Sequence, residues 1–173
     1  MKLLVISDTH GYIENARNII NRIGDRIDAV IHLGDHDEDA KFLSEEFDEI
    51  PFYYVQGNND YGLNTPNVKM ITVNNKKIIL THGHKQQVYW SYDKIAYWAE
   101  ENGADAVFFG HTHRPANEYG GMVYIFNPGS ISSPRGSRYP TFGIFDITED
   151  GNMEGTIMFY IDENNFIKME KNF

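Results

Sequence analysis

Five short apolar runs in this chain each end at residues that can bind a metal ion, and this repetition constrains the fold more than any other feature. Leu3-Leu4-Val5-Ile6 leads into Ser7-Asp8-Thr9-His10, and Ala29-Val30-Ile31-His32-Leu33 into Gly34-Asp35. Phe52-Tyr53-Tyr54-Val55 precedes Gly57-Asn58-Asn59-Asp60. The run from Lys77 to Leu80 ends in Thr81-His82-Gly83-His84, and Ala106-Val107-Phe108-Phe109 ends in Gly110-His111-Thr112-His113. Continuous apolar runs mark strands covered on both faces, as in sheets flanked by helices. In α/β sheets, ligands gather outside the carboxyl ends of the strands. Five such endings are therefore expected to converge on one rim.

The rest of the pattern agrees with an α/β chain. Ala16, Ile19, Ile20 and Ile23 recur at helical spacing within Glu14 to Ile23, and Gly24 reads as a stop. Helices are also expected over Asp39 to Phe47 and Ser91 to Asn102. Asn74-Asn75 between two strand-like segments, Val68 to Val73 and Lys77 to Leu80, predicts a hairpin, because Asn tolerates positive φ in tight turns. Strands are expected at Val123 to Phe126, Phe142 to Ile147 and Thr156 to Ile161. The order predicts βαβ units with parallel strands, then an antiparallel second half. Two sheets packed together with helices outside is the expected architecture.

Length and composition bound the function. The 173 residues fit a single domain over 1–173. Net charge is −10, with a pI near 5.0. A protein that coats long nucleic acid needs clustered Lys and Arg, so that class is disfavoured. There are no cysteines, which removes disulfides, thiolate metal sites and Cys nucleophiles. The apolar start is cut short by Asp8, no run reaches membrane-spanning length, and a cytoplasmic protein is expected.

Five of the seven histidines, His10, His82, His84, His111 and His113, lie in the strand endings. A lone His is commonly a solvated or hydrogen-bonded residue, but a set shared among several endings points to metal binding. If extended backbone persisted beyond the strand, Asp8 and His10 would point the same way and reach one ion. His36, Asp37, Glu38 and Asp39 read as a solvated acidic helix start. Arg114, Arg135 and Arg138 are weaker candidates for phosphate contact. Tyr89, Trp90, Tyr92, Tyr97 and Trp98 read as core, or as an exposed patch for self-association into a homo-oligomer; base stacking is a lesser alternative.

The five endings, in this order, resemble the motifs of the calcineurin-like metallophosphoesterases. The short chain and Asn127-Pro128-Gly129-Ser130 are similar to that superfamily's compact bacterial and archaeal phosphodiesterase branch. The resemblance implies a four-layer α/β/β/α sandwich of two packed mixed sheets flanked by helices. It also implies a hydrolase with two divalent ions, manganese first, with iron, nickel or zinc also compatible with oxygen and imidazole donors. Asp8, His10, Asp35 and His113 would hold one ion. Asp35, Asn58, His82 and His111 would hold the other, with Asp35 bridging and a bridging hydroxide attacking a small phosphate ester. Two aspartates against two divalent ions leave the site positive within an acidic chain. His84 or Asn59 is expected to contact the substrate. Asn59 stands where many relatives carry a leaving-group His, which favours a diester. A scaffold resembling the sorting-coat subunit of this fold would show eroded ligands, and a nuclease would usually add a further domain; neither is the expectation here.

Overall fold

The structure is a computed structural model that describes residues 1–169; the last four residues of the expected domain lie outside the described residues. Eleven strands and three α-helices are described. The strands are β1 (Lys2–Ile6), β2 (Ala29–His32), β3 (Phe52–Tyr54), β4 (Val68–Val73), β5 (Lys76–Thr81), β6 (Ala106–Phe108), β7 (Ala116–Gly120), β8 (Val123–Asn127), β9 (Thr141–Ile147), β10 (Met153–Asp162) and β11 (Asn165–Lys168). The helices are α1 (Glu14–Ile23), α2 (Asp37–Glu46) and α3 (Asp93–Glu101). One sheet runs β11-β10-β9-β1-β2-β3 and the other β4-β5-β6-β8-β7.

Alternation within single strands builds the layers. In β1, Leu3 and Val5 face the other sheet and join Ile78, Leu80, Phe108, Phe126 and Phe145 in the central core. Leu4 and Ile6 face outward and meet Ala16, Ile19 and Ile20 of α1 and Leu43 of α2. On the far side, Ile79 and Val107 meet Ile95, Ala96 and Ala99 of α3. Strands apolar on both faces thus yield helix, sheet, sheet, helix. Ile19 and Ile20 are almost fully buried, and each contributes roughly 1.5–3 kcal/mol.

Several expectations are corrected. The second half is mixed, because β5, β6 and β8 pair in parallel while β7 and β9 run antiparallel to their neighbours. Strands β7 and β11 were not foreseen; both are sheet edges, where Ala-Asn-Glu-Tyr-Gly and Asn-Phe-Ile-Lys lack a buried apolar run. Gly24 does end α1 as expected, and the chain runs on into a 3-10 turn at φ −55°. Helix α3 starts later than expected, because Ser91 Oγ accepts the Asp93 N–H and makes a turn first. The Asn74-Asn75 hairpin stands as expected, with φ of 46° and 64°. Among the described residues, no helix is long and apolar enough to cross a membrane.

Candidate metal centre

Two parallel trios set the site. β1, β2 and β3 run parallel in one sheet, and β5, β6 and β8 in the other. Their carboxyl ends meet along one seam. The Asp8 N–H donates to the Gly34 carbonyl at 3.0 Å within one sheet, and the Gly110 N–H to the His82 carbonyl at 3.1 Å within the other. Across the seam, the His111 N–H donates to Asp8 Oδ2 at 3.2 Å, and His82 Nδ1 lies 2.7 Å from the Leu33 carbonyl.

The seam brings together Asp8, His10, Asp35 and His113 as one group of ligand atoms, and Asp35, His82 and His111 as a second. Within each group the atoms lie within 4.8 Å of one another, and Asp35 belongs to both. The route there differs from the extended backbone expected. Asp8, His10, Asp35, His36, His111 and His113 all have positive φ, between 50° and 85°. Left-handed turns, not strand continuation, aim Asp8 and His10 at one point. Such conformations are costly for non-glycine residues and concentrate at functional sites. Close packing supports them: a Cβ on Gly110 would lie 1.9 Å from Ser7 Oγ, and one on Gly57 would lie 2.2 Å from Asp35 Oδ1.

The donor chemistry fits cations. The His82 and His113 Nδ1 atoms donate to the carbonyls of Leu33 and Ser133, at 2.7 and 2.6 Å, which leaves each Nε2 as a lone pair. His82 Nε2 faces Asp35 Oδ1 at 3.3 Å and His111 Nδ1 at 3.2 Å. His113 Nε2 faces Asp8 Oδ1 at 3.3 Å and His10 Nε2 at 3.1 Å. Asp8 Oδ1 is buried with no hydrogen-bond partner. Lone pairs and carboxylate oxygens turned toward one another need a proton or a metal ion between them.

Protonation follows the same geometry. Burial disfavours a charged His82, but the Asp35 hydrogen bond and the neighbouring carboxylates outweigh it and raise its pKa. Burial likewise opposes, and Asp8 overcomes, at His113, which is also raised. At Asp35, burial pushes the pKa up, yet His82 and Asn59 hold it well below the usual carboxylate range. His111 is pushed down to about 4, by burial first and then by the His82 charge. A proton held at His82 or His113 Nε2 would compete with a metal ion for the same lone pair. Loading the metal-free protein is expected to release protons, and because both pKa values are raised, metal affinity is expected to start falling above about 6.5, the ordinary histidine value, as pH drops. Calorimetry in buffers of different ionisation enthalpy measures that release.

The remaining expected residues are placed as follows. Asn59 donates from Nδ2 to Asp35 Oδ2 at 2.7 Å and from its backbone to Oδ1 at 3.1 Å, so it grips the shared carboxylate. His84 lies beside the second group, its ring centroid 5.6 Å from that of His82 and 6.0 Å from that of His111. Asn58 is exposed at the adjoining loop, where its carbonyl accepts the Tyr61 hydroxyl at 3.0 Å. The acidic helix start is not wholly solvated: Asp37 is buried.

Sequence reasoning gave no role to the residues that hold the loops. Asp60 accepts four backbone N–H groups, those of Asp35, His36, Asp37 and Gly57, at 3.1, 2.6, 3.0 and 2.5 Å. Ser130 and Ser132 both donate to the Asp8 carbonyl at 2.9 Å. His32, a strand residue, accepts the Gly34 N–H on Nδ1 and contacts Thr9 Oγ1 at 3.1 Å, while burial lowers its pKa. The motif signal contained Asp60 and Ser130 but not what they would touch.

Two packed mixed sheets with a paired carboxylate and imidazole set along their seam define a metallophosphoesterase. The chain belongs to the calcineurin-like phosphoesterase superfamily, whose domain profile matches residues 1–150. It is 33% identical over 168 residues to the probable metallophosphoesterase YsnB of Bacillus subtilis, spanning 97% of this chain and 95% of that one. It is 29% identical over 163 residues to the phosphodiesterase MJ0936 of Methanocaldococcus jannaschii, spanning 84% and 93%. The crystal structure of Entamoeba histolytica Vps29 complexed with zinc matches with a TM-score of 0.80 over 98% of this chain and 97% of that one, at 23% identity, a likeness of fold.

Proposed function

We propose that this protein is a metal-dependent phosphodiesterase that works with two divalent ions, manganese first among them. The observation that carries the reading is Asp35, whose carboxylate is common to both ligand groups. Asp8, His10, Asp35 and His113 would hold one ion, and Asp35, Asn58, His82 and His111 the other. Two such ions, when bound, supply Lewis acidity to phosphate oxygens and bring the ionisation of water near neutral pH. The chain's own part is to present the ligands preorganised. The carbonyls of Leu33 and Ser133 fix two imidazole tautomers, and Asn59 sets the angle of the Asp35 carboxylate. His84, whose ring lies beside those of His82 and His111, would donate to a substrate oxygen.

Asn59 favours the diester. An amide cannot give up a proton at neutral pH, so the chain places no acid there for a poor leaving group. With manganese, nickel or zinc supplied in turn, bis-p-nitrophenyl phosphate is expected to be hydrolysed faster than p-nitrophenyl phosphate. Turnover of the monoester alone would overturn the diesterase assignment. No turnover of either would favour a protein-binding role for the same fold.

A further inference from the structure

A cavity of about 260 Å³ beside the metal centre is used by nothing described above. Tyr89, Trp90, Tyr92, Thr112 and Arg114 line it. Thr112 lies between His111 and His113 in the chain, so cavity and centre share one loop. Tyr89 ties them together. Its hydroxyl donates to the His111 carbonyl at 3.2 Å, and its ring stands edge-on to the His111 imidazole, 4.8 Å between centroids. Arg135 comes from the opposite loop. Its backbone N–H donates to the His113 carbonyl at 2.9 Å, and its guanidinium bonds the Tyr89 hydroxyl while lying 5.9 Å from that ring.

Two features point to the occupant. The first is aromatic surface left toward solvent. Trp90 is 90% exposed and Tyr89 49%, whereas Tyr92 is fixed edge-on against Phe109 at 5.2 Å. Indole and phenol faces offer large stacking area with little entropy to lose. The second is charge. The chain has 25 acidic and 15 basic residues, yet among the described residues the arginine ion pairs are those of Arg17 and Arg26. Arg114 and Arg135 are left without carboxylate partners beside a site that handles phosphate. Planar guanidinium groups suit phosphate oxygens. Ligand pockets start at roughly 300 Å³, so this space suits one arm of an ester and not a whole large ligand.

We propose that this cavity receives a nucleotide arm of the diester, its base against Trp90 and Tyr89 and that arm's own phosphate against Arg114 and Arg135. The proposal rests on the phosphodiesterase reading and narrows its substrate class to short nucleotides. Hydrolysis breaks the phosphorus–oxygen bond to the leaving group and forms one from water oxygen to phosphorus; the protons of water pass to the leaving oxygen and to solvent.

Three esters with one leaving group test it on the manganese-loaded protein: methyl p-nitrophenyl phosphate, thymidine 3′-(p-nitrophenyl phosphate), and the same thymidine ester with a 5′-phosphate. The ring is expected to raise kcat/KM roughly 5- to 150-fold, the range that alanine substitution assigns to base stacking. The added phosphate is expected to give a further gain of up to about fivefold, the size of an exposed ion pair. Trp90→Ala should erase the first step and Arg114→Ala the second; both side chains are exposed, so neither change threatens the fold. Binding is read separately in Trp98→Phe, which leaves Trp90 as the remaining tryptophan. Thymidine 3′,5′-bisphosphate should quench its emission saturably, and ribose 5-phosphate should not. Equal turnover of all three esters, with no quenching, overturns the subsite and leaves the phosphodiesterase intact. Saturable quenching with no turnover of any ester supports the subsite and overturns the phosphodiesterase.

Discussion

Asp35→Asn is expected to lower metal-dependent diester turnover by at least about 100-fold, the upper range for losing even an indirect support of a metal site. The substitution is nearly isosteric, and asparagine tolerates the φ of 57° that this position adopts, so the backbone is not the cause. What changes is charge. Asp35 is the carboxylate that both ligand groups share, and His82 and Asn59 keep it ionised. Replacing it with a neutral amide removes one of the two negative charges that Asp8 and Asp35 bring to the centre. Metal content measured after gel filtration should fall together with rate. Full turnover with metal content unchanged would show that the centre does not depend on a shared carboxylate.

The second large effect is expected at a residue that touches no metal in this reading. Asp60→Ala should destabilise the protein by about 3 kcal/mol or more and weaken metal binding by roughly 10- to 100-fold. Its carboxylate accepts four backbone N–H groups drawn from the loops after β2 and β3. Alanine leaves those donors in a largely buried pocket, where each unsatisfied group costs about 1–3 kcal/mol and entering water recovers only part. Asp35 and His36, both with positive φ, would lose the contacts that hold them there. Thermal unfolding with and without manganese separates the two effects. A melting temperature equal to that of the unsubstituted chain would show that the loops hold themselves.

The sequence made the layers legible because strands buried on two faces leave no polar gap. The run Leu3 to Ile6, short and cut off by Ser7-Asp8, reads as an interior strand. Edge strands β7 and β11 pair on one side only and face solvent, so their residues carry no such mark. The candidate ligand types stood out for a related reason: Asp, His and Asn immediately after apolar runs have few uses other than chemistry or turns. How they converge was not readable. No local pattern specifies the left-handed turns at Asp8 and His10; Gly110 packs against Ser7 and Asp8, and Gly57 against Asp35, in contacts that only the folded chain makes. The aromatic segment divided. Tyr92 and Trp98 pack against the core around α3, while Trp90 and Tyr97 stay exposed, a split that depends on where the chain turns before Asp93.

The seam between the sheets carries one more implication. Asp8 and Asp35 come from one half of the sandwich, and His82 and His111 from the other. Each ligand group draws on both halves, so a cation gripped by either would act as a rivet through the two. Such an ion adds its binding free energy to the cohesion of the whole molecule, about 2.7 kcal/mol when free metal stands a hundredfold above its dissociation constant. Catalytic readiness and resistance to unfolding would then rise and fall with the same cellular supply of metal.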